Sequence, residues 1–277
     1  MPEIIKLQNP LGSVTDGDKI CSFNSEVIES VTKPLIHQSA RFWLINKGDA
    51  TAIIKGKAVH LISGTLVSVL PWEITEIVQV KIPLQYFVVI YHFDALNILI
   101  KSFYNQSNDA VKLLKGMEEN PAVYCSKKQY SKIFEVFLEL KNELGLDTAI
   151  KTVEPQILSS IFITNHLVTI MVEFLRISCC EGVEIQTEPF KKEEILQYIY
   201  SHLSENITAK HLSKIFYMSE SRISQYIKQL TGLSVVSLCH EMRIVKVSDF
   251  LLFTDFNLEE LAGILGYADA SHISKVF

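Results

Sequence analysis

The chain has 277 residues, enough for two ordinary domains. Apolar residues make up 48% of it, so a sizeable core can form and global disorder is excluded. A formal net charge of −5 argues against a protein that coats nucleic acid by charge alone. Met1-Pro2-Glu3 lacks a basic leader and a long apolar core, so no signal peptide is expected. Five cysteines, Cys21, Cys125, Cys179, Cys180 and Cys239, show no C-x-x-C spacing and read as reduced thiols in a cytoplasmic protein.

Residues 1 to about 30 show no strong period and read as an arm into the first domain. From residue 34 to 93 short strands alternate with turns. Arg41, Phe42, Trp43, Leu44 and Ile45 form a strand candidate that Lys47-Gly48-Asp49 turns. Residues 51–54 and 58–62 flank a hairpin turn at Lys55-Gly56-Lys57. Ser63-Gly64 turns again, residues 66–70 run into Pro71-Trp72, and two further strands, 74–80 and 84–92, are separated by Pro83. This spacing implies a small antiparallel barrel or sandwich.

A divalent metal needs three or four converging N/O ligands, and His37, His60 and His92 are scattered with no H-x-H. Glu73 and Glu76 read as isolated rim residues, so neither metal nor cofactor is expected. Trp43, Trp72, Phe87 and Tyr91 either line a pocket for a small effector or are simply core.

Helical periodicity begins at residue 94, runs to about 119 with an interruption at 105–109, and breaks at Asn120-Pro121. Residues 130–144 then give an amphipathic helix stopped by Gly145. The longest apolar run, residues 157–175, includes Asn165, His166 and Glu173, which suits a soluble helix better than a membrane span. Its wide stripe can be internal core or a homodimer face. Residues 181–190, with Gly182, Glu184 and Pro189, read as a linker. The expected division is 1–180, linker 181–190, and 191–277.

The second domain opens with a helix at residues 194–199. Thr208 then caps a short helix with Ala209, Leu212, Ile215 and Phe216 on one face, and Ser219 caps a second with Ile223, Tyr226, Ile227 and Leu230. Gly232 closes it. The outward face of the second helix carries Ser221, Arg222, Ser224, Gln225, Lys228 and Gln229, none acidic and all able to bond bases or phosphates. On this segment alone, a helix-turn-helix and an ordinary helical hairpin are equally open. After a long helix at 235–253 the pattern returns. Asn257 and Glu260 form a capping box, Leu261, Ile264 and Leu265 supply an apolar face, Gly266 turns, and a helix begins near Asp269.

With its Thr231-Gly232-Leu233-Ser234, Met242-Arg243, Asn257-Leu258-Glu259-Glu260-Leu261-Ala262, Gly266-Tyr267 and Ser271-His272-Ile273-Ser274-Lys275-Val276-Phe277, the chain resembles the AraC/XylS family of transcription regulators. The resemblance implies an α+β protein: an N-terminal antiparallel β barrel, cupin-like, with helices, then an all-α double helix-turn-helix domain. It implies a non-enzymatic regulator that binds double-stranded DNA, as a homodimer, with a possible small-molecule effector and RNA polymerase among its partners and no membrane. Carried over by position, Ser221, Arg222, Ser224 and Gln225, then Ala270, Ser271, His272, Ser274 and Lys275, would face the bases, with Lys228 and Lys275 suited to phosphates.

Two departures stand out. Tyr217 occupies the first turn where the family has glycine, and residues 191–277 hold nine Lys/Arg against ten Asp/Glu. The family pattern continues past Phe277, so a truncated second unit that frays from about Asp269 is expected. The alternatives are a regulator that dimerises but binds DNA poorly, and a cupin enzyme with a helical appendage.

Overall fold

The computed structural model describes residues 7–8, 21–94, 96, 117, 120–146, 153–180, 193–253 and 256–276. Contacts divide the chain into two compact units, one comprising Asn9–Glu188 and one including Pro189–Phe277. In the first unit β1 (Cys21–Ile28), β2 (Leu35–His37), β3 (Ala40–Ile54), β4 (Lys57–Ile62), β5 (Thr65–Val69), β6 (Glu73–Tyr91) and β7 (Ala122–Tyr124) form one antiparallel sheet. Two helices follow, α1 (Lys127–Leu146) and α2 (Val153–Cys180). The sheet stays open, so the expected barrel is not closed among the described strands.

Two long strands organise the sheet. β3 and β6 pair from Ala40↔Tyr91 to Ile54↔Thr75, with register shifts near Lys47 and Asp49. The expected turn at Gly48 and the expected break at Pro83 are one irregularity inside this pair. Gly48 has φ +119°, and a Cβ there would lie 2.7 Å from both Leu84 Cα and Pro83 O. Proline brings no N–H to the ladder, and a bulge opposite it removes the need for one. Lys55 (φ +54°) and Gly56 (φ +70°) make the two-residue hairpin turn into β4, as the spacing indicated. β4 lies along the C-terminal half of β3 and β5 along its N-terminal half. The supposed arm at Cys21–Ile28 is a strand, paired with β6 from Cys21↔Tyr91 to Ile28↔Leu84.

Strand alternation sorts the core into two layers. Phe42, Leu44, Val89 and Tyr91, with Phe87 beside them, meet Phe137 and Leu140 of α1 and Leu167, Ile170 and Phe174 of α2. Phe42 stacks on Tyr91 at 5.1 Å. Trp43, Ile45, Tyr86, Val88 and Ile90 face the other way, with Leu61, Val67 and Ile77. This corrects the single aromatic pocket: Trp43 lies on the opposite face from Phe87 and Tyr91. Trp72 is buried in the β5–β6 connection, where its backbone N–H donates to His37 O.

Glu73 is not a rim residue, and His37 is buried opposite it where β2 pairs with β6. Glu73 is 3% exposed, pairs with Lys55 at 2.8 Å and accepts the Leu70 N–H, while Lys55 donates to Met117 O. His37 is buried with Nε2 2.6 Å from Thr75 Oγ1. Burial keeps its imidazole well below its usual pKa. Among the described residues, no three His, Cys, Asp or Glu come together as metal ligands.

Most of the α2 stripe is core: Ile163, Leu167, Ile170, Met171, Phe174, Leu175 and Ile177 are buried. Leu158, Ile161 and Phe162 are not. By length and composition alone, Leu158–Cys179 could cross a membrane, yet 44% of that apolar window is buried in the fold. Glu173 on α2 accepts Lys132 of α1 at 2.8 Å and Arg176 at 3.0 Å, and these partners hold its carboxyl below the usual range. Burial pushes the Cys21 thiol up to about 12 and the Cys239 thiol up to about 11, so both stay protonated at neutral pH. Apart from Asp94, Leu96 and Met117, the helical segment expected at 94–119 lies outside the described residues, as does the linker at 181–190.

Gly48→Ala should destabilise the chain by about 2–4 kcal/mol, from a disfavoured φ and a clash with backbone. Urea denaturation of the variant beside wild type measures it. An unchanged midpoint would show that the bulge tolerates a side chain.

Candidate nucleic-acid interface

The helical unit contains α3 (Glu193–Ser201), α4 (Ala209–Phe216), α5 (Glu220–Thr231), α6 (Val235–Phe253), α7 (Leu258–Leu265) and α8 (Ala270–Val276). Its helix starts are written in short polar side chains. Thr208 Oγ1 accepts the His211 N–H at 3.1 Å, and Ser219 Oγ accepts that of Arg222 at 3.3 Å. Asn257 accepts from Glu259 and Glu260 while the Glu260 carboxylate takes the Asn257 N–H at 2.8 Å, a complete capping box. Asp269 Oδ1 accepts the His272 N–H at 2.8 Å and starts α8, which is helical from Ala270 to Val276 where the sequence pattern suggests fraying from about Asp269. Tyr217, Gly232 and Gly266 end α4, α5 and α7 in the left-handed conformation.

The pair α4–α5 is thus a helix-turn-helix, and α7–α8 repeats it with one extra residue in the turn. In α5, Ile223 and Ile227 are buried at 0% exposure and fix the rotation of the helix. Ser221, Arg222, Ser224, Gln225 and Lys228 are consequently all exposed on its outer side. In α8, Ile273 is buried, and Ser271, His272 and Ser274 are exposed. The Lys275 side chain lies outside the described residues.

Not every outward residue is equally available. The Ser274 hydroxyl donates to Ala270 O at 3.2 Å and keeps its lone pairs for an incoming donor. The His272 ring sits edge-on to Tyr267 at 5.5 Å and 6.4 Å from His240, which ties it to the scaffold. Two expected inner residues are outer ones: Ile215 and Ile264 are 37% and 43% exposed, at matching positions of the two repeats.

Charge differs between the repeats. Lys210, Lys214, Arg222 and Lys228 give the first repeat a positive balance over Glu220. The second sets Lys275 against Glu259, Glu260 and Asp269. Positive charge is therefore concentrated in the first repeat.

The connecting helix holds both repeats. Arg243 of α6 donates through Nε to Leu203 O at 2.7 Å and through a terminal nitrogen to Glu205 O at 2.8 Å. Its guanidinium also lies over the Tyr267 ring, 5.6 Å from the centroid. Lys246 lies over Tyr200 of α3 at 4.3 Å. Sequence reasoning noted Arg243 only as part of a pattern, because its carbonyl partners lie about forty residues away.

A helix-turn-helix domain family matches residues 212–277. The chain is similar to the HTH-type transcriptional activator RhaS of Enterobacter sp. (strain 638), 22% identical over 188 residues and 65% of each chain. It is also similar to the regulatory protein PocR of Salmonella typhimurium, 26% identical over 87 residues, covering 31% of this chain and 29% of that protein. These matches span less than two thirds of either relative. Among solved structures, the AraC-like transcriptional activator CuxR aligns over 78% of this chain and 72% of that one, at 14% identity and a TM-score of 0.41. These relatives are transcription regulators, not enzymes. By its double helix-turn-helix and by the relatives it matches, the chain is similar to regulators of the AraC family, and its residues 212–277 match a helix-turn-helix domain family.

Proposed function

We propose that this chain is a sequence-specific DNA-binding transcriptional regulator that works in the cytoplasm as a homodimer and answers to a small effector. The observation that carries the reading is the exposed row Ser221, Arg222, Ser224, Gln225 and Lys228 on a helix whose opposite side is anchored by Ile223 and Ile227. Gln or Arg can bond adenine or guanine bidentately in the major groove, and Lys suits a phosphate as a point charge. The first repeat then supplies most of the attraction to phosphate, and the second adds neutral contacts from Ser271, His272 and Ser274.

The likeness to a transcriptional activator favours activation, with RNA polymerase as the further partner. The N-terminal unit then takes the regulatory part, dimerisation and effector response. Leu158, Ile161 and Phe162 support a self-contact: they share one exposed side of α2 at the helical spacing, while the rest of its stripe is core.

Gln225→Ala should change the preferred sequence at a cost of about 1–3 kcal/mol at one base pair. Lys228→Ala should weaken binding to all sequences alike. Binding-site selection with each protein tests both, and one shared preferred sequence for wild type and Gln225→Ala would mean that α5 is docked differently. For the dimer, sedimentation of the full chain should show a two-copy species that Ile161→Glu converts to a monomer. A monomeric wild type, or a variant that stays dimeric, would remove this face from the account.

A further inference from the structure

We propose that Tyr217, in the turn of the first helix-turn-helix, is a contact to the DNA sugar–phosphate backbone at the N-terminal end of the recognition helix. The inference deepens the DNA-binding reading and rests on it. It starts from a comparison of the two repeats. Tyr217 and Gly266 stand at the same place, nine residues after the N-caps Thr208 and Asn257. Both are left-handed helix ends, with φ of +53° and +71°. Both N–H groups close the preceding helix, on Ser213 O and Ala262 O.

Gly266 is sterically required. A Cβ there would lie 2.1 Å from Ser204 O and 2.7 Å from Ser204 C. Tyr217 is under no such restriction, and its side chain is 92% exposed. A bulky aromatic residue nonetheless occupies a conformation that L side chains adopt at a cost and that glycine adopts freely. The fold gains nothing visible from the ring, since so exposed a side chain buries almost no area. Strain held without packing return points to a use outside the folded chain.

Position indicates which use. Tyr217 is two residues ahead of Ser219, the cap of the recognition helix. In helix-turn-helix docking, the first residues of that helix enter the major groove, here Ser221 and Arg222. The turn therefore comes down beside the phosphates that border the groove. A phenol suits that place, with a hydroxyl to donate to a phosphate oxygen and a ring to lie on deoxyribose. Charge gives a second argument. Residues 191–277 hold nine Lys/Arg against ten Asp/Glu, and Glu220 adds an exposed carboxylate at this end of the helix. A neutral donor at this end of the helix holds the backbone beside Glu220 without adding to the charge of the repeat.

The test uses the full chain, a duplex recovered by binding-site selection, an unrelated duplex, and fluorescence anisotropy over a salt series. Tyr217→Gly should bind both duplexes about tenfold more weakly, the size expected for one hydrogen bond to a charged acceptor. The salt slope should not change, because no cation is removed. The thermal midpoint should be no lower than wild type, because glycine relieves the turn. Tyr217→Asn, also at home in the left-handed region, should repeat this loss, and Tyr217→Phe should show most of it. Wild-type affinity in both Tyr217→Gly and Tyr217→Asn overturns the inference, as does a loss confined to variants that melt early. If wild type binds neither duplex, the DNA-binding reading itself fails and takes this inference with it.

Discussion

Arg243 holds the helical unit together from the middle of its longest helix. Its fork reaches two backbone carbonyls, Leu203 O and Glu205 O, at the loop that leads into the first helix-turn-helix. Its face lies over Tyr267, in the turn of the second. Ser204, between those two carbonyls, is the residue whose oxygen occupies the place a Gly266 side chain would need. One guanidinium thus fixes the loop on which the second turn rests. A lysine cannot reproduce this, because it lacks the planar fork and the stacking surface. The recognition helices can only present a fixed pattern of side chains if this joint is rigid.

From that joint the two repeats diverge in task. The first carries the basic residues and presents Arg222, Gln225 and Lys228 from a helix pinned by Ile223 and Ile227. The second is close-fitted, with glycine where the first has tyrosine, and its outward residues are small or tied to the scaffold through Tyr267. On the proposed DNA-binding reading, attraction to phosphate is concentrated in one repeat while the other adds shape. This division suits a chain with net negative charge, since discrimination is lost when non-specific affinity is high.

The helical unit was largely legible in the sequence because its signals are local. Thr208, Ser219 and Asn257 act on N–H groups two or three residues away, and Gly232 and Gly266 mark chain reversals by their own φ. The sheet was less legible because its determinants are pairwise. Gly48 and Pro83 each look like an ending, and only their meeting across β3 and β6 makes them a bulge in two continuous strands. Cys21–Ile28 has no conspicuous alternation, and its pairing with β6 fixes it. The four candidate pocket aromatics failed as a group for a simpler reason. Trp43 packs with Tyr86 and Val88, while Phe87 and Tyr91 pack on the helix-covered face, and pairing in the sheet decides which face each residue joins. Arg243 was visible as a residue but not as a joint, since its partners are distant in sequence.

The central claim is that two helix-turn-helix repeats, held by one connecting helix, act together on DNA. Hydroxyl-radical and methylation footprinting of the full chain on a selected duplex tests it most directly. The account predicts two protected major-groove segments about one helical turn (~34 Å) apart on one face of the duplex. Stronger backbone protection should fall under the first repeat. A single protected segment, unaffected by changes at Ser271 or His272, would contradict it.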